Sequence, residues 1–524
     1  MNRNFKVVYS KARGALMVVN EATSSVQAKG TKTVIAAAVA ALSLGAGVAS
    51  AAPATGTVTS GTATVEGSFT ITNDASAAGG LSADKVAVTD TDGAEVKVED
   101  WSKQTLDSSN KLNITLKGGE LTTTFDDKAS KDLTVTLGKV EGAGTISMTA
   151  TKGAEGKAYG QALTVDTLAL SEGDLNFSAS GTGAKTGAIS ITTAEAGDIT
   201  LGTDEVKPDG SSVPTTAAKA ANITVNDVAL AVTLTATKAN FDYNAGTVTN
   251  AGTLTLAATK DGDNTGVVTL DKDVSFANSG TVAIKGDKVQ FDASYDATSE
   301  ANKSGYLEVK STAASDGTIT VGGTLTADTI KLGEKTADDA KGNRQEKNQI
   351  VLDAETITVA KDGKLDVKNT LTLEKNLTVQ GIVNTAATDV KVIGSGDQAT
   401  NNAVKVTVGV TDSTHAGSVS LGKVTVGAGT ADQANSLTVS VANGASAQAD
   451  SLDIAAEVKD KDGSTTKNTA GKFVLASGKF NAGTLTNGGS VSIGDSGAAT
   501  LTVSGTSVNK GEVTFNQSNK SALV

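Results

Sequence analysis

From Gly56 onward, apolar and polar residues alternate in short runs, and Gly, Asn and Asp separate the runs. Thr62-Ala63-Thr64-Val65-Glu66 and Lys131-Asp132-Leu133-Thr134-Val135-Thr136-Leu137 are examples. Alternation with a period of two sends successive side chains to opposite faces, which is the pattern of a half-buried strand. No stretch after residue 51 sustains a helical period. The pattern predicts an all-β chain of many short strands.

The runs also recur as units. One unit is a small residue, an acid, a short polar residue and then apolar–x–apolar. It reads Ala83-Asp84-Lys85-Val86-Ala87-Val88, Val165-Asp166-Thr167-Leu168-Ala169-Leu170, Ala327-Asp328-Thr329-Ile330-Lys331-Leu332, Ala354-Glu355-Thr356-Ile357-Thr358-Val359 and Ala449-Asp450-Ser451-Leu452-Asp453-Ile454. The acids lie 82, 162, 27 and 95 residues apart, and the first three intervals are close to multiples of 27. A second unit pairs Asn244–Leu256 with Asn481–Ile493, with shorter echoes at Asn278–Val282 and Asp316–Val321. Each gives a Gly or Asn corner followed by a strand, and both residue types tolerate the left-handed backbone of a tight corner. Imperfect repeats of this length predict a parallel β-solenoid (β-helix), because one coil cannot bury its apolar face alone and stacking supplies the partner. At about 25 residues per coil, the chain after residue 51 gives up to about 19 coils, a stack of ~90 Å.

The first 51 residues differ. Lys29 and Lys32 precede an apolar run, Thr33–Val48, and Ala49-Ser50-Ala51 followed by Ala52-Pro53 forms a small–x–small cleavage site. This is the layout of a secretory signal, with cleavage set by Ala49, Ala51 and Ala52. The run is shorter than the ~20 residues of a membrane-spanning helix. A helical, cleaved leader is expected at 1–51, made of an extension at 1–25 and a signal at 26–51 with cleavage near Ala51.

That extension reads Met1-Asn2-Arg3, Phe5-Lys6-Val7-Val8-Tyr9-Ser10, Arg13-Gly14 and Met17-Val18-Val19-Asn20-Glu21. It resembles the extended signal peptide region of Gram-negative type V secretion (autotransporter) proteins, over about a twentieth of the chain. The resemblance implies Sec-dependent export, passage through an outer-membrane transporter, a β-helical passenger and delivery to the cell surface or medium. Arg3, Lys6, Lys11 and Arg13 suit an anionic inner leaflet. Autotransporters carry a C-terminal barrel with aromatic girdles, and no such segment is recognisable here. The motif of two-partner cargo and the coiled-coil stalk of trimeric adhesins are not recognisable either. The domain expectation is therefore a leader at 1–51 and a solenoid passenger at 52–524, with a loop or linker at 204–221 around Pro208 and Pro214.

Composition narrows the partners. The 524 residues carry a formal charge of −12, and six of the 45 basic residues lie in the leader against one of the 57 acids. An acidic exported chain argues against nucleic acid as a partner. It has no Cys, which suits transit of an oxidising periplasm as an unfolded thread. Three Pro, 3% aromatics and 57 Gly fit a narrow core of Val, Leu, Ile and Ala.

Candidate chemistry is sparse. Gly494-Asp495-Ser496-Gly497 resembles the nucleophile motif of chymotrypsin-like proteases, whose mechanism needs a His oriented by an Asp. The sole histidine, His415, lacks that context, so the string is read as a turn. Asp90-Thr91-Asp92-Gly93, Asp261-Gly262-Asp263-Asn264 and Asp460-Lys461-Asp462-Gly463 resemble fragments of calcium loops but lack the distal bidentate Glu, so they read as turn tips with at most weak calcium binding. No catalytic residue, cofactor site or metal site is assigned. Trp101 is expected to pack near the amino-terminal end. The expectation is a non-enzymatic adhesin or colonisation factor binding host or neighbouring cells. The alternatives are a self-associating surface protein and a passenger enzyme acting on polysaccharide.

Overall fold

The computed structural model describes residues 5–10, 15–20, 54–55 and 60–524, apart from 74–79, 105, 107, 126–129, 155, 207–215, 261–265, 314–315, 334–347, 393–402, 410–416, 430–432, 460–462, 464–465 and 517–519. The chain forms two compact units, Met1–Ala51 and Ala52–Val524. In the first, Phe5–Ser10 pairs antiparallel with Ala15–Asn20, Phe5 opposite Asn20 and Ser10 opposite Ala15. This part of the leader is a hairpin rather than a helix. Val7, Val8, Val18 and Val19 explain it, since β-branched side chains are crowded in a helix and at ease in a strand. The apolar run and the cleavage residues Ala49, Ala51 and Ala52 lie outside the described residues.

The second unit is a parallel β-solenoid with three faces. The first face runs from Gly61–Asn73 through Leu112–Phe125, Lys139–Gly153 and Thr167–Gly181, and each strand pairs in parallel with the next. It continues by the same pairing to Glu512–Phe515, sixteen rungs in all among the described residues. At ~4.8 Å per rung that is about 70 Å. The count falls below the nineteen expected because excursions leave the coil. One lies between Leu201 and Ala221, and it carries the partner of Leu175 forward to Ile223.

Burial follows the alternation. Gln161–Val165, Ile189–Thr193 and Ala221–Val225 each alternate buried and half-buried positions. Leu163 and Ile191, adjacent in register, are both essentially inaccessible. The core is a continuous column of such residues from Ala63 to Leu501. The amino-terminal end is closed by Gly80–Thr89, which pairs antiparallel with Gly61–Asn73, and by a single 3-10 turn at Trp101–Lys103.

The corners hold a finding the repeats did not announce. Asn250, Asn278 and Asn487 each end a strand and are buried. Asn250 Nδ2 donates to Asn278 Oδ1 at 2.9 Å, and Asn487 Nδ2 donates to Asn509 Oδ1 at 2.8 Å, so the amides stack from coil to coil. Asn278 Oδ1 also accepts the Gly280 N–H, as Asn487 Oδ1 accepts that of Gly489. The expected left-handed backbone occurs at Asp316, φ +60°, in the echo Asp316–Val321, but at these three corners it is not what selects the residues. None of the three Asn has positive φ. The glycines are there for room: a Cβ on Gly280 would lie 2.0 Å from the Gly252 carbonyl oxygen, and one on Gly489 2.1 Å from that of Gly471.

The acid-bearing unit does not mark one coil position. Asp166 and Glu355 stand at the corner leading into the first face, and Asp328 and Asp450 stand at the bend between the other two faces. Asp84 belongs to the antiparallel cap. The near-multiples of 27 therefore do not measure the coil, whose register step ranges from 18 residues (Phe473 to Val491) to 31 (Leu168 to Ile199) even where no long excursion intervenes.

Candidate functional site

Two stretches of the third face, which runs from Leu133–Thr136 through Gln161–Val165, Ile189–Thr193, Ala231–Ala236, Thr253–Ala258 and Thr281–Gly286 to Tyr306–Ser311 and onward, are the candidate surfaces. The first is uncharged. Thr134, Ala162, Ser190, Thr233 and Thr255 stack in register, and Thr136, Thr164, Thr192, Thr235 and Ala257 form the next outward column. These positions are half-buried or exposed, because their inward neighbours such as Leu163 and Leu234 fill the core. The outcome is a flat field of hydroxyl and methyl groups five rungs deep, fixed by the sheet.

The second stretch is charged. The column that carries Ala257 continues to Lys285, Lys310 and Asp353. Here the strands leave chain order. Gln349–Asp353 inserts between Tyr306–Ser311 and the segment Thr329–Leu332, and that segment then pairs with Thr370–Leu373. The register places Gly333 between Asp353 and Glu374. A Cβ there would sit 2.3 Å from Glu374 Oε2, so the glycine opens the space that Glu374 occupies. Glu374 reaches Lys331, Nζ to Oε1 3.3 Å, with side-chain exposures of 11% and 10%. Lys310 Nζ holds Asp353 at 2.9 Å. Burial pushes the Glu374 carboxyl above its ordinary range, against the opposing charges of Lys331 and Lys375 and with help from Asp353.

A third group lies on the first face. Gln290 Nε2 donates to Asp292 Oδ1 at 2.5 Å, yet burial, with a smaller push from Asp271, still raises the Asp292 carboxyl. Lys272 beside it is held by Asp273 at 2.8 Å and stays charged. Farther along, a shallow groove of about 310 Å³ is lined by Asp389, Lys391, Lys423 and Thr425.

The residues singled out in the sequence fall at separate places. Gly494–Gly497 is a corner of the coil. Gly494 has φ +96°, the Ser496 N–H and hydroxyl both donate to the Ala476 carbonyl, and the Ser492 hydroxyl donates to Asp495. His415 lies outside the described residues, as do Asp261–Asn264 and Asp460–Asp462. At the first turn tip, Asp90 Oδ1 accepts the N–H groups of Asp92 (3.0 Å) and Ala94 (2.8 Å), which closes the turn. Among the described residues no three acids or histidines converge on one point. Trp101 packs edge-on against Phe69, centroids 5.1 Å apart, at the amino-terminal cap. Of the loop at 204–221, residues 207–215 lie outside the description, while Val206 and Thr216 bridge its base. The out-of-order strand and its buried charges were missed from sequence. Lys331 sits in the third acid-bearing unit as an ordinary polar position, and nothing nearby in sequence names Glu374 as its partner.

No curated protein and no solved structure matches the chain. The family model described as "Extended Signal Peptide of Type V secretion system" matches residues 1–50. A leader of type V secretion thus precedes a stack of parallel coils: residues 1–50 mark the chain for Sec-dependent and type V export toward the cell surface or beyond, and they support its reading as a type V secretion (autotransporter) protein with a β-solenoid passenger.

Proposed function

We propose that the solenoid acts by binding rather than by catalysis, as an adhesin or colonisation-type protein that recognises host or neighbouring-cell surfaces. Display follows from association with an outer-membrane transporter. The observation that carries this reading is the uncharged outward field on the third face, Thr134 to Ala257, on an otherwise acidic chain. A rigid flat array of hydroxyl and methyl groups meets a polar, weakly charged surface such as glycan or matrix without ordering cost on its own side. The Gly494–Gly497 corner supports the non-catalytic part, because both polar groups of Ser496 are spent on one backbone carbonyl.

The test is adhesion of the purified chain after leader removal to cells and immobilised matrix. Introducing Lys at Thr164, Thr192 and Thr233 together is expected to weaken binding at least ~10-fold, about 1.4 kcal/mol. Equal binding by wild type and variant rejects this face as the contact surface. Absence of both binding and self-association rejects the reading. A second reading has support from the same field: two copies meet through it, in spite of their like net charge. Light scattering that rises with ionic strength and falls in the Lys variant would favour self-association, since salt screens the repulsion between acidic chains.

A further inference from the structure

The strand Gln349–Asp353 is held out of chain order between two older neighbours, and the charges beside it are buried in a way that ordinary surface ion pairs are not. Lys303 with Glu300 and Lys272 with Asp273 stand largely in water. Lys331 and Glu374 are each about nine-tenths covered, from adjacent coils, with Nζ 3.3 Å from Oε1. We infer that this pair is the site of an intramolecular isopeptide cross-link, joining Nζ of Lys331 to Cδ of Glu374.

The step balances within the pair. The ammonium passes a proton to the carboxylate, which gives an amine and a carboxylic acid. The amine lone pair attacks Cδ and a C–N bond forms. The C–O bond to the acid hydroxyl breaks, the nitrogen releases a second proton to that hydroxyl, and one water leaves. Nothing is oxidised or reduced, and no co-reactant is required. The surroundings favour each part. Gly333 has no side chain to separate the partners. Burial and the neighbouring Asp353 favour the neutral acid, which is the electrophilic form. Loss of water converts two buried charges into one neutral amide and so removes a desolvation cost. Few water molecules reach the bond to reverse it.

The cross-link ties Thr324–Leu332 to the next coil just past Lys364–Leu373, so the inserted strand and every residue between Lys331 and Glu374 fall within a closed covalent loop. Closing a loop of this kind restricts the unfolded chain most where the stack is least regular.

The experiment is intact mass spectrometry of the folded, purified chain after full denaturation, followed by peptide mapping. The mass is expected about 18 Da below that of the sequence, one water. The map is expected to show the Lys331 peptide joined to the Glu374 peptide. Lys331→Arg, which keeps the charge but cannot form the amide, restores the full mass, and Lys310→Arg leaves the linkage intact. A folded wild-type chain of full sequence mass overturns the inference, as does a mass loss that maps elsewhere. If Lys331→Arg fails to fold, the wild-type peptide map alone decides.

Discussion

Two sections of the stack fill the same triangular cross-section in different ways. Between Phe241 and Tyr295 the core holds five aromatic residues, whereas Leu307 to Lys472 contains none. In the aromatic section Phe276 stacks on Phe291 (6.0 Å, 11°) and meets Tyr295 edge-on (5.4 Å, 79°). Its corner is tied by amides: Asn278 Nδ2 donates to the Tyr295 hydroxyl at 3.1 Å, and the Asn278 N–H donates to Asn302 Oδ1 at 2.7 Å. Burial, only partly offset by that hydrogen bond from Asn278, pushes the Tyr295 phenol up to about 12, so it remains a neutral part of the network. The aliphatic section has Val321 and Val359 in the column of Phe291 and Leu325 and Leu365 in the column of Tyr295, and its buried polar side chains include Thr385 and Asn435, each bonded to backbone. A large ring needs a directed polar partner at its tip, whereas a branched aliphatic side chain needs only neighbours above and below. The aromatic section thus adds directed bonds at its ring tips to the matching of shapes that both sections share.

Truncation should break this contrast most visibly. Phe276→Ala removes a ring from two aromatic contacts and is expected to cost about 4 kcal/mol, against about 3 kcal/mol for Leu371→Ala. Because coils contact only their neighbours, the loss should read as faster amide exchange in the adjacent coils rather than as a uniform loss. Exchange that accelerates equally in both sections would show that they do not act separately. A polar test is next in size. Asn278→Leu removes the side-chain amide that serves Asn250 Nδ2, the Gly280 N–H, the Tyr295 hydroxyl and the Tyr306 carbonyl, and is expected to cost about 2 kcal/mol by denaturant titration. A neutral outcome would mean that the amide stack contributes nothing to register.

The smallest effects concern two carboxylates of opposite disposition. Asp292 has a folded pKa above the ordinary 3.8, from burial first, so its ionised form is a burden at neutral pH and stability rises as pH falls through its folded value. Burial alone would raise Asp366 too, but Lys368 at 2.9 Å and Lys364 at 3.4 Å bring it below 3.8. Its contribution is present above 3.8 and is lost as pH falls through the folded value. At pH 7, Asp292→Asn should raise and Asp366→Asn should lower the melting temperature, each by the equivalent of about 0.5 kcal/mol. Shifts of the same sign would refute this account of the two sites.

Much of the fold was legible because the strand signal is local. The alternation at Leu133–Thr136 or Ile189–Thr193 needs no partner to be read. The export leader was legible because its charged, apolar and small-residue parts are contiguous. Registry was not legible. The acid in Val165-Asp166-Thr167 and the acid in Ala327-Asp328-Thr329 look alike, yet they sit at different corners, because any corner that faces water accepts an acid. The Asn at 250, 278 and 487 was recognised as corner chemistry, but its inward direction depends on the amide one coil away. The insertion of Gln349–Asp353 was invisible for the same reason: pairing out of order leaves no mark on either sequence.

That insertion behaves as an edge dislocation does in a crystal. The third face gains a row that the first face lacks, since only Ile357 lies between Ile319 and Leu377 while both Leu352 and Leu332 lie between Val309 and Leu373. A lattice with an extra half-row must change its pitch or cant its planes where the row ends. The coils on either side of Gly333 therefore belong to two blocks of order joined at a fault. The unit by which such a chain lengthens over evolutionary time is then smaller than a coil, a single strand admitted on one side.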